Sequence, residues 1–241
     1  MSFSRIFPRM PIRSQSPELM DRDDVNEKEL FRTLDQFKNV NRYFSGIHGV
    51  LTKVFLKYMK ENPRSEAYTV LDLGAGGCDI PIWLIKKCRK LRQPVKVVGV
   101  DHDQRIVSYV KPRVYDFPEL SVVHSTARKA LGEKRYDFII SNHFLHHLSD
   151  KELPQLICEI HSGSRIGYIL NDLCRKRSAV LQFSLIAPLI FRDSFTVRDG
   201  LKSIYRGFTR SEIRSLAESL NPRPVIKTVF PAHICLYQLK S

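Results

Sequence analysis

The sequence lacks the signatures of several common chemistries. Its five cysteines, at 78, 88, 158, 174 and 235, form no C-x-x-C pair, which argues against a cysteine zinc site and a dithiol redox motif. An odd number of cysteines without an evident secretory signal reads as a reduced, cytoplasmic protein. No apolar run reaches the roughly 20 residues that span a bilayer. The best, SAVLQFSLIAPLIF at 178–191, contains Pro188 and reads as a buried or pocket-lining helix. A dinucleotide fingerprint starting at Gly74 needs a glycine where Asp79 stands, so NAD and FAD are disfavoured. No Gly-Lys-Ser/Thr follows the glycines, so a P-loop is absent as well.

Acid is missing from the first seventeen residues, MSFSRIFPRMPIRSQSP, which carry three arginines and three prolines. Residues 1–23 therefore read as a flexible basic arm. Across the chain 39 basic residues face 25 acidic ones, a net charge of +14. That excess raises nucleic acid or an anionic membrane surface as partners. The basic residues are spread out, with no tract interleaved with aromatics, so small-molecule chemistry is favoured and nucleic acid is not. Peripheral membrane contact stays open.

What is present is an alternation. Residues 24–64 read as a helical cap, with Leu30, Leu34, Phe37 and Val40 near one face. From AYTVLDL onward, short apolar runs (VKVVGV, LSVVHS, YDFIIS, RIGYILND) alternate with helical stretches. Runs of this kind are strands of a parallel sheet covered on both faces. PVIKTVF and HICLYQL add a closing antiparallel pair. Ser149-x-x-Glu152 and Thr209-x-x-Glu212 are candidate capping boxes. The expected fold is α/β: a doubly wound, mostly parallel, seven-stranded Rossmann-like sheet over 65–241. After the fifth strand, 176–208 forms a lid insertion made of the apolar helix and a basic connector.

Ligands of such sheets bind outside the carboxyl ends of the strands. The first strand ends in LDLGAGGCD, where Gly74, Gly76 and Gly77 crowd after Asp72; the second ends in Asp101. A carboxylate at that second position can accept both hydroxyls of a ribose. The ligand thus looks like a nucleoside held by backbone and carboxylates.

VLDLGAGGCD, VVGVDHD and YDFIISNHFLHHL, in this order, resemble the class I S-adenosylmethionine-dependent methyltransferases over roughly 66–175. Asp72, Gly74 and Gly76 match the family's D-x-G-x-G-x-G, while Cys78 replaces the third glycine. The resemblance implies S-adenosyl-L-methionine as cofactor. The turn through Asp72, Gly74, Ala75 and Gly76 would approach its amino acid part. Asp101 would hold the ribose, with His102 near the adenine. After the third strand, Thr126 and Ala127 stand where the family often has an acid. Asn142 would lie at the methyl-transfer end. Candidate bases for an acceptor hydroxyl are His143 and His146, with His147 beside them and Asp172 closing the fifth strand. SPELMDRDDVNEKELFRTLDQFKNVNRYF, NDLCRKRSAV and RDGLKSIYRGFTRSEI are similar to a bacterial subfamily associated with polyketides and phenolic lipids. It favours O-methylation of a small, apolar hydroxylated molecule, phenolic, polyketide or quinone-like. SNHF lacks the Asn/Asp-Pro-Pro-Tyr of enzymes acting on amide or base nitrogens. Two alternatives stand beside this reading: an RNA or protein methyltransferase, and a non-catalytic subunit that kept the fold.

Overall fold

The computed structural model describes residue 10 and residues 12–240. Seven strands make one sheet: β1 (Tyr68–Leu73), β2 (Val95–Asp101), β3 (Leu120–His124), β4 (Tyr136–Asn142), β5 (Ser164–Leu173), β6 (Val225–Val229) and β7 (His233–Leu239). Their order is β3-β2-β1-β4-β5-β7-β6. The first five run parallel, and β7 inserts antiparallel between β5 and β6. β4 is buried along its whole length, as a central strand with helices on both faces must be.

The helices α1 (Glu27–Tyr43), α2 (Ile47–Leu51), α3 (Lys57–Glu61), α4 (Asp79–Leu91) and α5 (Gln104–Val110) share one face of the sheet. A π turn, Thr52–Leu56, joins α2 to α3. On the other face lie α6 (Ala127–Glu133), α7 (Glu152–Gly163) and α10 (Arg210–Ala217). The chain leaves β1 and β4 toward opposite faces, so a crevice opens between their carboxyl ends.

Four expectations need correction. First, residues 12–23 are no loose arm; residues 1–9 and 11 lie outside the described residues. Arg13 is buried, donating to the carbonyls of Arg206, His146 and Leu148. Asp199 accepts from the backbone of Leu19 and Met20 at 2.7 and 2.9 Å. Second, the supposed basic connector contains a helix, α9 (Thr196–Arg206), whose buried Asp199, Ser203 and Arg206 face this strap. Third, the apolar segment forms α8 (Arg177–Ile190), but only Ala179, Val180 and Ala187 of it are buried. Fourth, Thr209 and Glu212 form a complete capping box, whereas at Ser149 both groups donate to Glu152 and the helix starts only there.

Candidate active site

The glycine turn is built by backbone conformation. Gly74 and Gly76 have φ of 71° and 48°, a region that side chains disfavour. A Cβ on Gly74 would lie 2.8 Å from the Phe144 ring. Cys78 is also left-handed, at φ 56°, and fully buried as the N-cap of α4. Its side chain fits because β2 has a glycine beneath it: a Cβ on Gly99 would meet the Cys78 sulfur at 3.3 Å and the Ala75 Cβ at 3.0 Å. The space given up at the third glycine of the motif is recovered at Gly99.

Three carboxylates ring this turn. Asp72, Asp79 and Asp101 line one cleft with Gly74, Ala75, Gly76 and His102. Burial, and then the neighbouring charges of Asp79 and Asp101, hold Asp72 well above the usual carboxylate range. Burial also raises Asp79 and Asp101. Asp101 is oriented by the amides of Gly76 and Asp103, each donating at 3.0 Å. An amide relay fixes the rest: Asn171 donates to Asn142 at 2.7 Å, Asn142 to Asn41 at 2.9 Å, and Asn41 to Asp79 at 3.1 Å. Each link places one more strand or helix end against the turn. These groups fit a cationic nucleoside: backbone open to close approach, a carboxylate at the end of β2, and clustered acids short of a positive charge.

His143, His146 and His147 also line the cleft, with His233 buried against His143. His143 has φ 56°, and its Nε2 meets Nε2 of His233 at 2.5 Å. Burial pushes His143 down to about 4 and His233 well below its ordinary range. Both are neutral at pH 7. His146 is the opposite case. Burial opposes its charge, but the carboxylates of Asp172 and Glu18 outweigh that and lift it to about 9. Its Nδ1 lies 2.7 Å from Asp172. Its Nε2 lies 3.2 Å from Glu18, in ion-pair contact but outside hydrogen-bond geometry. His146 in turn holds Asp172 well below the carboxylate range, against the cost of burial. Ser203 donates to Glu18 at 2.6 Å, and His147 Nδ1 lies 3.2 Å from Asp21. Ligand atoms of Glu18, His146 and His147 fall within 4.8 Å of one another, close enough for a small cation. A proton on His146 already serves both carboxylates there.

The expected site residues Asp72, Gly74, Ala75, Gly76, Asp101, His102, Asn142, His143 and His146 all border the cleft. Thr126, Ala127 and Asp172 do not. The Thr126 hydroxyl accepts from Lys129 and caps α6. Asp172 is buried behind His146, so it does not border the cleft. Sequence reading missed Glu18, Asp21, Asn41 and Asp79. Asp79 closes the quoted glycine stretch and was within reach. The others sit on segments that only the tertiary fold brings to the cleft.

Residues 70–167 match the family model described as "Methyltransferase domain". No curated protein matches the chain. Among solved structures, the chain is similar to magnesium protoporphyrin IX methyltransferase from Synechocystis PCC 6803 with bound SAH. The TM-score is 0.55 at 13% identity, covering 92% of this chain and 91% of that one. It is similar to the plantazolicin methyltransferase BamL, in complex with a triazolic desmethylPZN analog and SAH (TM-score 0.61, 16% identity, 89% and 97% covered). It is also similar to a SAM-dependent methyltransferase from Aquifex aeolicus (TM-score 0.54, 16% identity, 90% and 99% covered). Residues 70–167 thus match a methyltransferase domain, and the fold is the one these three structures share.

Proposed function

We propose that this enzyme methylates a hydroxyl of a small, largely apolar molecule of phenolic, polyketide or quinone-like type. One observation carries the reading: beyond the glycine turn, Phe37, Val40, Phe144, Phe183 and Ile204 line the cleft around the neutral His143. Such walls accept an apolar ring or chain. The similar structures include methyltransferases named for magnesium protoporphyrin IX and for plantazolicin, which supports the coarser part of the reading, an acceptor that is a small or peptide-derived molecule.

S-adenosylmethionine supplies, when bound, a methyl group on a sulfonium. Asp101 would accept its ribose hydroxyls, and His102 would flank the base. Asp72 and Asp79 would balance its positive charge. Methyl transfer from a sulfonium is a direct displacement, so holding the two reactants together does much of the work. His143 would take the acceptor proton at Nδ1, its Nε2 being engaged with Nε2 of His233. His146 carries its proton already, held by Asp172 behind it, so it fixes positive charge at the cleft instead of acting as a base.

Asp101→Ala should weaken cofactor binding by about 1.5–3 kcal/mol, the value of hydrogen bonds to a charged group. His143→Gln should lower kcat about 100-fold with cofactor affinity unchanged, measured on a panel of phenols with S-adenosylmethionine. Unchanged kcat in His143→Gln would remove the base. An RNA acceptor would show steep salt dependence; the acids Glu18, Asp21, Asp72, Asp79 and Asp101 around the cleft argue for a flat one.

A further inference from the structure

α8 is apolar on both sides, and only one side is covered. Ala179, Val180, Phe183 and Ala187 turn inward, the first two packing with Ile204 of α9 and Phe183 reaching the cleft. The opposite side shows Leu181, Leu185, Ile186, Leu189 and Ile190 to solvent, Leu185 at 64% and Leu189 at 77% exposure, together with exposed Pro188. Leu181, Leu185, Pro188 and Leu189 follow i, i+4, i+7, i+8 spacing and make a continuous stripe. Ser178, Gln182 and Ser184 are the polar residues exposed on the same helix. Soluble surfaces seldom carry five large apolar side chains together without an occupant.

The charges around the stripe select the occupant. No acid occurs between Asp172 and Asp193. Exposed Lys176 and half-buried Arg177 stand at one end of the helix and exposed Arg192 at the other. Asp193 beyond Arg192 is met by Arg32 at 3.4 Å. Two copies joined through this face would oppose basic ends to basic ends. An anionic lipid surface takes both features, apolar side chains below the headgroups and basic ones among them. Among the described residues no helix is long and apolar enough to cross a membrane, so the contact is one of lying on the surface.

We propose that the outer face of α8 docks the enzyme on an anionic lipid bilayer. The helix then stands between the bilayer and the cleft, with Phe183 on its inner side. The proposal is independent of the identity of the acceptor. The test is flotation of the full chain with vesicles of phosphatidylcholine alone and of phosphatidylcholine mixed with phosphatidylglycerol, at physiological ionic strength. Wild type should float with the mixed vesicles, at least tenfold more than with the neutral ones. Leu185→Glu/Leu189→Glu should lose at least tenfold of that binding. A circular dichroism spectrum and an S-adenosylhomocysteine affinity like wild type's would show that the variant is folded. Lys176→Glu/Arg192→Glu keeps the stripe and should lose the preference for anionic vesicles. Failure of wild type to float, or undiminished flotation of the leucine variant, overturns the proposal. So does a concentration-dependent dimer that the leucine variant dissolves while no vesicle binding is seen; the occupant would then be a second copy.

Discussion

Cys78 and Gly99 show how a single departure from a motif is absorbed. The sulfur occupies space under the turn that a side chain at Gly99 would need, so Gly99→Ala should destabilise the fold more than Cys78→Gly does. Asp72 illustrates a cost of another kind. Its carboxyl is raised because charge is disfavoured there by burial and by Asp79 and Asp101. A raised carboxylate loses stability as pH climbs above its unfolded value near 3.8. At neutral pH the free turn is therefore strained electrostatically, and a bound cation relieves it. Asp72→Asn should raise the melting temperature of the free protein, by roughly 2–4 °C for each kcal/mol in a chain of this size. It should weaken S-adenosylmethionine at least ~10-fold, or 1.4 kcal/mol. Scanning calorimetry and titration read both; a lower melting temperature would mean that Asp72 is a structural acceptor. His146 has the opposite sign. Raised from 6.5 to about 9, it contributes stability that is complete below pH 6.5 and lost as pH rises toward 9. Asp172, held low, contributes above pH 3.8 and loses its share in acid. Wild type should lose stability from pH 6.5 to 9, and His146→Gln should lack that slope while costing on the order of 3 kcal/mol at pH 6. Denaturant melts across this range decide it.

The same residues explain which elements were legible in advance. The seven strands are apolar, β-branched runs bounded by turns, and their pattern is local. α9 is not local. It turns Asp199, Ser203 and Arg206 inward because a segment nearly two hundred residues earlier in the chain supplies Leu19 and Met20 amides, Glu18 and the Ser16 carbonyl. Read alone, those polar side chains look solvent-facing and the helix looks like a connector. The strap at 12–23 looked loose for the same reason, since Arg13 is held by carbonyls of distant residues. Half of the site followed suit: the glycine turn, Asp101 and His143 are readable from strand ends, Glu18 and Asn41 are not. Of the two expectations for α8, burial fails for most of the helix, while pocket lining holds at Phe183. Phe183 of α8 and Phe191 just beyond its end play different parts. Phe183 borders the cleft, whereas Phe191 is only 4% exposed and outside it. Phe191→Ala should cost about 3–5 kcal/mol of stability. Phe183→Ala should raise the acceptor KM up to about tenfold, as loss of about 1–1.4 kcal/mol of ring contact implies, with cofactor affinity nearly intact. Gly200→Ala should imitate it, because a Cβ there would stand 2.3 Å from the Phe183 ring. Equal loss of cofactor and acceptor binding in both variants would show that α8 and α9 are not an acceptor lid.

Over the whole molecule, charge and cover are segregated. The net charge is +14, yet among the described residues the cleft is lined by five acids and no lysine or arginine. The basic surface therefore does not continue into the cleft, which suits a cationic cofactor and a neutral acceptor better than a polyanion. Cover comes from three separate parts of the chain: the strap, α1 and the α8–α9 pair. Glu18, Met20 and Asp21 of the strap, Phe37 and Asn41 of α1, and Phe183 and Ile204 of α8 and α9 all border the cleft. The strap is tied to α9 through Asp199 and Ser203, and α1 to the 191–196 turn through Gln36 and Thr33. A cofactor reaching the glycine turn must pass beneath them, so binding should stiffen parts that do not belong to the nucleotide-binding core. Hydrogen exchange with saturating S-adenosylhomocysteine should slow the amides of 12–23, α1 and α9 by about tenfold or more, while β3 and α6, remote from the cleft, keep their rates. Asp199→Asn should lose the protection at 19 and 20 first, because the carboxylate that takes those two amides is gone. Protection confined to residues 73–80 would mean that the cover opens and closes independently of the cofactor, leaving the acceptor alone to close it.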